Sequence, residues 1–365
     1  MTAPVTAGRR PAQRSRWLVL GLGVVGAVVL LGAPALLTES DYTLRLMTMA
    51  LVYAIATYGM NVILGFTGQL SLAHAGFFGI GAYVTGILTV DHDWSFWAAF
   101  VVSVVVTAVT GFLAGLLALR TKQEYFAIYT MATGFIVYLV ISRWSDVTHG
   151  QQGLIGVKLP EGGDLVDFAE PSAMYYLCLA FLAVAVYATW AIRRSTVGRT
   201  LIAIRTSEDL AKSIGVNVGL NKQLAFAAST TIAGTAGALY ATTMGFIGPS
   251  VSSVNMTFEM LMFLLIGGMG TVFGPIIGTF LVVFLFELMQ DFQAYRFLVI
   301  GPVIVALVIF APRGIAGYFQ KVVARFVDAP SEATTKTVKT RTGEGDGVVP
   351  AQRAAVPPAL TKEAR

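Results

Sequence analysis

GFTGQLSLAHAGFFGIGAYVTGIL, residues Gly65 to Leu88, carries no Asp, Glu, Lys or Arg and is long enough to cross a bilayer. It is nonetheless a poor plain helix. Gly65, Gly68, Gly76, Gly79, Gly81 and Gly86 interrupt it, and each glycine costs a helix about 0.8–1 kcal/mol relative to alanine. Gln69, Ser71 and His74 add polar side chains to an apolar run. Two explanations fit: glycines that let helices approach closely, or a helix broken where it lines a cavity. A second run, GGMGTVFGPIIG from Gly267 to Gly278, has the same character. Gly270, Gly274 and Gly278 form one smooth face if helix persists, while Gly274-Pro275 can end one helix and start the next, or mark a re-entrant hairpin. Paired glycine-broken segments point to a translocation path. Its candidate residues are Gln69, Ser71, His74, Gly79, Gly81, Glu259, Gly267, Gly268 and Gly270. Tight packing explains the glycines equally well, and a hydrogen-bonded packing role for His74 stands beside a solute-contacting one.

The surrounding chain is of the same class. Apolar residues make up 56% of the 365 residues and charged residues 12%, against about 25% charged in soluble domains. The charges cluster between long apolar runs, at 17–37, 43–64, 70–90, 94–119, 124–142, 173–192, 223–246, 255–273, 274–290 and 297–315. This predicts an all-α integral membrane protein of about ten transmembrane helices. With the N-terminus cytoplasmic, ten crossings place Arg9, Arg10, Arg14, Arg16, Arg120, Lys122, the basic loop 193–222, Arg313, Lys321, Arg325 and the tail on one side. That gathers 21 of the 25 Lys and Arg inside, leaving Arg45, Arg143, Lys158 and Arg296 outside. The opposite loops are acidic: Asp91, Asp93, Asp146, Glu161, Asp164, Asp167 and Glu170. Both termini are therefore expected in the cytoplasm. The first segment is read as a retained helix, although Ala33-Pro34-Ala35 resembles a signal-peptide cleavage site. The domain plan is a basic N-terminus 1–16, a transmembrane domain 17–318 with an extracytoplasmic loop 143–172, and a largely disordered cytoplasmic tail 319–365, too polar to bury a core.

Several chemistries find no support. No Gly-Lys dipeptide occurs, so there is no phosphate-binding Walker loop. His74, His92 and His149 lack metal-ligand spacing, and the single Cys178 allows neither an intrachain disulfide nor a thiolate site. Gly21, Gly23 and Gly26 fit G-x-G-x-x-G, but inside an apolar helix rather than at a strand-to-helix turn. Intramembrane ionisable residues are scarce, with Glu259 and Glu287 the candidates. A proton-coupled carrier normally buries an ionisable relay, so energy for active transport would come from another chain.

The loop 193–222 contains RTSEDLAKSIG, Arg205 to Gly215. Thr206 and Asp209 make a T-x-x-D capping pattern, Ser207 can serve as N-cap, and Gly215 is placed to end the helix. Leu210 and Ile214 lie four apart on one face. A two-turn amphipathic helix is predicted, too short to stand without a docking surface. Local physics leaves open whether that surface is the membrane domain or a soluble partner.

Three stretches carry a resemblance: GMNVILGFTGQLSLAHAGFFGIGAY (59–83), AIRTSEDLAKSIGVNVGLNKQLAFAASTTIAGTAGALYA (203–241) and FEMLMFLLIGGMGTVFGPIIG (258–278). Over roughly residues 40–318 the chain resembles the branched-chain amino acid permease family of bacterial ABC importers, LivM-like subunits in particular; the extended basic tail departs from it. The resemblance implies a non-catalytic permease subunit of the bacterial cell membrane, without cofactor of its own. Its implied partners are a second homologous permease, two cytoplasmic ATPase subunits carrying ATP-Mg, and an extracytoplasmic solute-binding protein; no nucleic acid is involved. It further implies that Arg205, Thr206, Ser207, Glu208, Asp209, Leu210, Ala211, Lys212, Ile214 and Gly215 form the coupling helix that docks on the ATPase, and that the solute is a branched-chain or other apolar amino acid. Urea or short amides within the same family, or a stand-alone secondary transporter, are the alternatives. An integral membrane enzyme would need a polar cluster in the loop 143–171, where Asp164 and Asp167 read instead as a solvated acidic loop. That loop is also a candidate surface for the binding protein.

Overall fold

The computed structural model describes residues 30–34, 41–118, 123–163, 166–290, 301–302 and 314–317. The N-terminus 1–16, most of the segment 17–37, Arg120, Lys122, Asp164, Arg296, most of the segment 297–315 and the tail beyond 317 lie outside the described residues.

Among the described residues the chain is a bundle of helices whose starts and stops follow from local chemistry. Helix α1, Asp41–Met60, runs on without interruption into a π-helical segment, Asn61–Thr67. Helices α2 (His74–Val90), α3 (Phe96–Ala118), α4 (Gln123–Arg143) and α5 (Pro171–Arg194) follow. The Ser195 hydroxyl accepts from the Gly198 amide and starts α6, Thr196–Thr206. Ser207 caps α7, Glu208–Ser213, and Asn217 caps α8, Val218–Met244. Such caps satisfy amides that a helix leaves unpaired at its first turn. Ser253 caps α9, Val254–Gly267, and Pro275 stands in the first turn of α10, Gly274–Leu288, where its missing N–H costs nothing. The Gly274-Pro275 break thus divides two helices as the sequence suggests. Two two-residue strands, β1 (Leu154–Ile155) and β2 (Phe246–Ile247), pair antiparallel.

Among the described residues five helices are long and apolar enough to cross a membrane: Asp41–Thr67, Phe96–Ala118, Tyr125–Arg143, Pro171–Arg194 and Val218–Met244. At 1.5 Å per residue, α9 and α10 reach only about 21–22 Å each, short of a hydrocarbon core of about 30 Å. The long helices divide into centre and rim. The most apolar window of Asp41–Thr67 is 94% buried and that of Val218–Met244 61%, against 28% for α3, α4 and α5. Helix α8 packs on α1, α2 and α3 and forms the hub. Its sequence, STTIAGTAGALYATT over Ser229–Thr243, is small enough for backbones to meet. A Cβ at Gly81 of α2 would overlap the Gly234 carbonyl oxygen of α8, and one at Gly237 would overlap that of Phe78.

The loops sort to two ends. The turn after α2, the stretch 143–171 and the end of α8 meet at one: His149 Nε2 lies 3.1 Å from Asp91 Oδ1, Lys158 Nζ 2.6 Å from Asp93 Oδ1, and Trp97 Nε1 donates to the Glu161 carbonyl at 3.0 Å. The Lys158 ammonium holds the exposed Asp93 carboxyl below its ordinary range. At the other end lie the residues joining α1 to α2, α6, α7 and the turn between α9 and α10.

The close α2–α8 contact sets an expected outcome. Gly81→Val should destabilise the protein by about 1–3 kcal/mol or more. Gly245→Asn, at φ +65 with open space around it, should cost under about 1 kcal/mol because asparagine visits the left-handed region. Thermal unfolding in detergent compares the two; equal losses would mean that backbone contact does not set α2–α8 packing.

Candidate functional site

The two glycine-broken runs come together. Asn61, fully buried at the start of the π segment, donates from Nδ2 to the Thr271 carbonyl (2.9 Å) and accepts at Oδ1 from the Gly270 amide (2.7 Å). The Tyr58 hydroxyl donates to the Val272 carbonyl one turn earlier. Gly65 follows Asn61 by four residues, and a Cβ there would overlap Asn61 Oδ1 and stand 2.7 Å from the Gly270 amide. The π segment closes at Gly68, φ +73, whose amide reaches Leu64 O at 3.1 Å. Residues 68–73 are not helical, and α2 begins at His74. The run from Gly65 to Leu88 is therefore both broken and tightly packed.

The break leaves polar atoms inside. Gln69, Ser71 and His74 are all buried. Among the described residues Gln69 Oε1 and Ser71 Oγ meet no hydrogen-bond partner, and His74 Nδ1 faces the Ser71 backbone without reaching hydrogen-bonding geometry. His74 Nε2 lies 2.7 Å from Ser229 Oγ, whose hydroxyl donates to Gly59 O, so this histidine ties α2 to α8 and α1. Orphaned buried polar groups are uncommon because each costs about 1–3 kcal/mol, and here they concentrate within six residues of chain.

The remaining sequence candidates sort as follows. Gly79 faces Ser252, where a Cβ would come 2.5 Å from the serine Cβ, and Gly81 faces Gly234. Gly267 abuts the Gly274 carbonyl, bringing α9 against α10. Gly268 ends α9 at φ +115, and Gly270 sits in the turn at φ +75, so Gly270 does not continue a helix face with Gly274 and Gly278. Glu259 is half-buried on α9, within electrostatic reach of Tyr53. Glu287, next to last in α10, accepts from the Tyr42 hydroxyl and from Gln290 Nε2 (2.7 Å). Among the described residues no group of three His, Cys, Asp or Glu could hold a metal ion.

The loop between α5 and α8 reaches the same place. Arg205, in the last turn of α6, donates from Nη1 to the Gly65 carbonyl and brings Nη2 to 3.6 Å from Met269 Sδ. Thr206 does not cap α7; its hydroxyl bonds back to Ile202 O (2.9 Å), and Ser207 caps instead, accepting from Leu210 N at 3.3 Å. One face of α7 is braced on its own domain. Ala211 is buried with Ile204 and Val218, and Glu208 bridges Lys212 (3.0 Å) and the nearly buried Lys222 of α8 (2.5 Å). Asp209 and Lys212 are exposed. The other face bares Leu210, 64% exposed, and Ile214, 72% exposed; Gly215 follows at φ +84. Sequence reasoning does not single out Asn61, Lys222 or Ser229 as site residues; for Asn61 the available signal is an amide in the otherwise apolar GMNVILG.

Residues 42–310 match the model of a family described as "Branched-chain amino acid transport system / permease component". The permease protein LivM of the high-affinity branched-chain amino acid transport system of Salmonella typhimurium is 31% identical over 290 residues, 73% of this chain and 68% of that protein. Its Escherichia coli counterpart is 30% identical over 295 residues, 75% and 69% of the two chains. The Escherichia coli permease protein LivH is 22% identical over 290 residues, 74% and 92%. No solved structure matches. With its long apolar helices, the family match makes the chain a multi-pass membrane protein and a transport subunit rather than an enzyme.

The brace at Glu208 has a pH signature. Partial burial alone would raise its carboxyl, but the bonds from Lys222 and Lys212 outweigh burial and hold it below its ordinary range. A depressed folded-state value means stabilisation that is complete above the unfolded carboxyl value and lost as pH falls through the folded one. Hydrogen exchange over 208–216, corrected for intrinsic rate, should be pH-independent near neutrality and accelerate under acid. Glu208→Gln should accelerate it about tenfold at pH 7, equivalent to about 1.4 kcal/mol; an unchanged rate would mean that Glu208 does not hold α7.

Proposed function

The chain belongs to the branched-chain amino acid permease family, and from that premise we propose that it is one of two unlike permease subunits of an ATP-driven importer. The solute is a branched-chain or other apolar amino acid, as the printed functions of the LivM and LivH relatives support. LivM and LivH are distinct permease proteins in one organism, which favours a second, related permease beside this chain. Two cytoplasmic ATPase subunits carry ATP-Mg, a binding protein delivers solute from outside, and the complex sits in the bacterial cell membrane. Ten crossings with both termini cytoplasmic suit the gathering of acidic loops at one end of the bundle and of the basic loop 193–222 at the other.

The observation that carries this reading is the build of α7. It is held by Ala211 and Glu208 on one side and bares Leu210 and Ile214 on the other. An apolar pair on a braced polar helix suits insertion into a groove of a soluble partner. ATP-driven closure of the ATPase pair would push on α7 and tilt the permeases between outward- and inward-open states. Solute would pass Gln69 and Ser71, whose unpaired oxygens offer replacement contacts to a polar group that has left water.

Two measurements test this. From membranes expressing the operon partners, the tagged wild-type chain should bring down a second permease and an ATPase, and Leu210→Asp/Ile214→Asp should lose the ATPase while keeping the permease. Wild type purifying alone in gentle detergent would end the importer reading; an ATPase retained by the double variant would end the docking role of α7. Gln69→Met and Ser71→Ala each remove an unsatisfied buried oxygen, so stability should hold within about 1 kcal/mol or rise. ATP-driven leucine uptake into proteoliposomes should fall about tenfold, the equivalent of one lost hydrogen bond of about 1.4 kcal/mol. Unchanged uptake would take the path away from these residues.

A further inference from the structure

Arg205 lies in the last turn of α6, two residues before Ser207 and three before the start of α7 at Glu208; although the residue is exposed overall, its guanidinium contacts both broken runs. Ser207 alone separates the two helices, and its extended backbone is fixed at both sides: its amide reaches Ala203 O and its hydroxyl caps α7. A displacement of α7 therefore reaches the last turn of α6 with little slack. From that turn the Arg205 stem runs over Gly68, where a Cβ would stand 2.9 Å from its Cγ, and its guanidinium enters between Gly65 and Gly270. Gly68 and Gly270 both hold positive φ, and a Cβ at Gly270 would stand 3.1 Å from Nη1. Glycine is required at these two positions both for backbone conformation and for room. One nitrogen donates to the Gly65 carbonyl near the end of the π segment, and the other reaches Met269 in the turn between α9 and α10. A cation there meets the negative end of a helix. Arginine keeps its charge at any physiological pH, and its planar fork contacts two partners at once, as a lysine ammonium on a flexible stem does not.

We propose that Arg205 is a positioning residue of the transport cycle, the link through which movement of α7 reaches both broken helices together. Gly65 and Gly270 are already joined through Asn61, so the guanidinium moves them as one body. The first chain displaced beyond Gly68 is the stretch holding Gln69 and Ser71. This rests on the importer reading above, and it assigns to Arg205 an inward role rather than contact with the ATPase.

The test is solute moved per ATP hydrolysed by the complete complex in proteoliposomes, with leucine as the probe. Arg205→Ala should assemble and hydrolyse ATP within about twofold of wild type, while leucine moved per ATP falls about tenfold or more. Arg205→Lys should recover part of the ratio. A purely structural role would lower complex yield without changing the ratio, so a wild-type ratio in Arg205→Ala overturns the proposal. Should Arg205→Ala fail to assemble, Arg205→Lys decides: a lowered ratio supports the link and a wild-type ratio overturns it. A second readout is maleimide labelling of Ser71→Cys, compared with and without trapped nucleotide. Labelling that depends on nucleotide in the Arg205 background and loses that dependence in Arg205→Ala supports the link; dependence retained in both overturns it. Wild type that moves neither leucine nor another apolar amino acid with ATP would instead sink the importer reading itself.

Discussion

The amide of Asn61 is the contact on which the rest of the structure depends. A helix in hydrocarbon satisfies its own backbone, and any interruption exposes amides and carbonyls that cost several kcal/mol each without a partner. This chain interrupts two helical runs at one end of the bundle, after Thr67 and after Gly267. Asn61 Nδ2 and Oδ1 bond to the Thr271 carbonyl and the Gly270 amide, so a side chain from one interruption satisfies the backbone of the other. Each break is also capped within its own segment, Gly68 N on Leu64 O and Gly268 N on Leu264 O, and Asn61 pairs the groups that those caps leave over. Their mutual satisfaction also explains why a neutral residue serves there: both partners are dipoles, and a carboxylate or ammonium could match only one of them.

Close approach is the second condition. For the Asn61 side chain to span the gap, backbone must come to backbone, and glycines permit that at Gly65 and along α8. The α8 hub is rich in Ala, Gly, Ser and Thr, and its threonine hydroxyls bond to carbonyls three or four residues back in their own helix, as those of Thr230, Thr231 and Thr235 do. Such residues present a thin, internally satisfied surface. Large rings such as Tyr58, Phe78 and Phe226 fill the interior between those contacts, and the outward faces of α3, α4 and α5 expose the apolar Val105, Leu117, Ile128, Ile136 and Val184. Small residues at the closest helix contacts and apolar side chains on the outer faces are expected where lipid, not water, is the surrounding solvent and van der Waals packing holds helices together.

Much of this was legible in the sequence, because it rests on local rules. Apolar runs gave the helices, Gly274-Pro275 the division between α9 and α10, Ser207 the start of α7, and the glycines of 65–88 the presence of a break or close contact, both of which occur. What was not legible depends on where distant residues meet. Thr206 and Ser207 both fit a cap, and only the backbone path selects Ser207, leaving Thr206 to bond within its helix. Leu210 and Ile214 read as an apolar face looking for cover, but Ala211 takes the buried side. Asn61 passed unnoticed because a single amide in an apolar run has no meaning until its partners, more than 200 residues away, are in place. Arg205 was legible as a basic residue of the loop 193–222; its reach to Gly65 was not, since the same charge at the same loop position could equally point into water.

The scarcity of buried charge then takes on a mechanical sense. Among the described residues the interior of the bundle is joined by neutral amides, hydroxyls and backbone, with Glu259 half-buried and Glu287 near a helix end. Neutral contacts of this kind carry no net charge through the field across the membrane, and the imidazole among them, His74, is fully buried against Ser229. The importer reading supplies force from a soluble partner instead. On the importer reading it enters at α7, where the charges are: Glu208, Lys212 and Lys222 brace that helix, and the Arg205 guanidinium stands between it and the breaks. Ionic contacts at the aqueous edge and neutral contacts inside form a division of labour, in which the charged end receives motion from a soluble partner and the uncharged interior rearranges without moving charge across the bilayer.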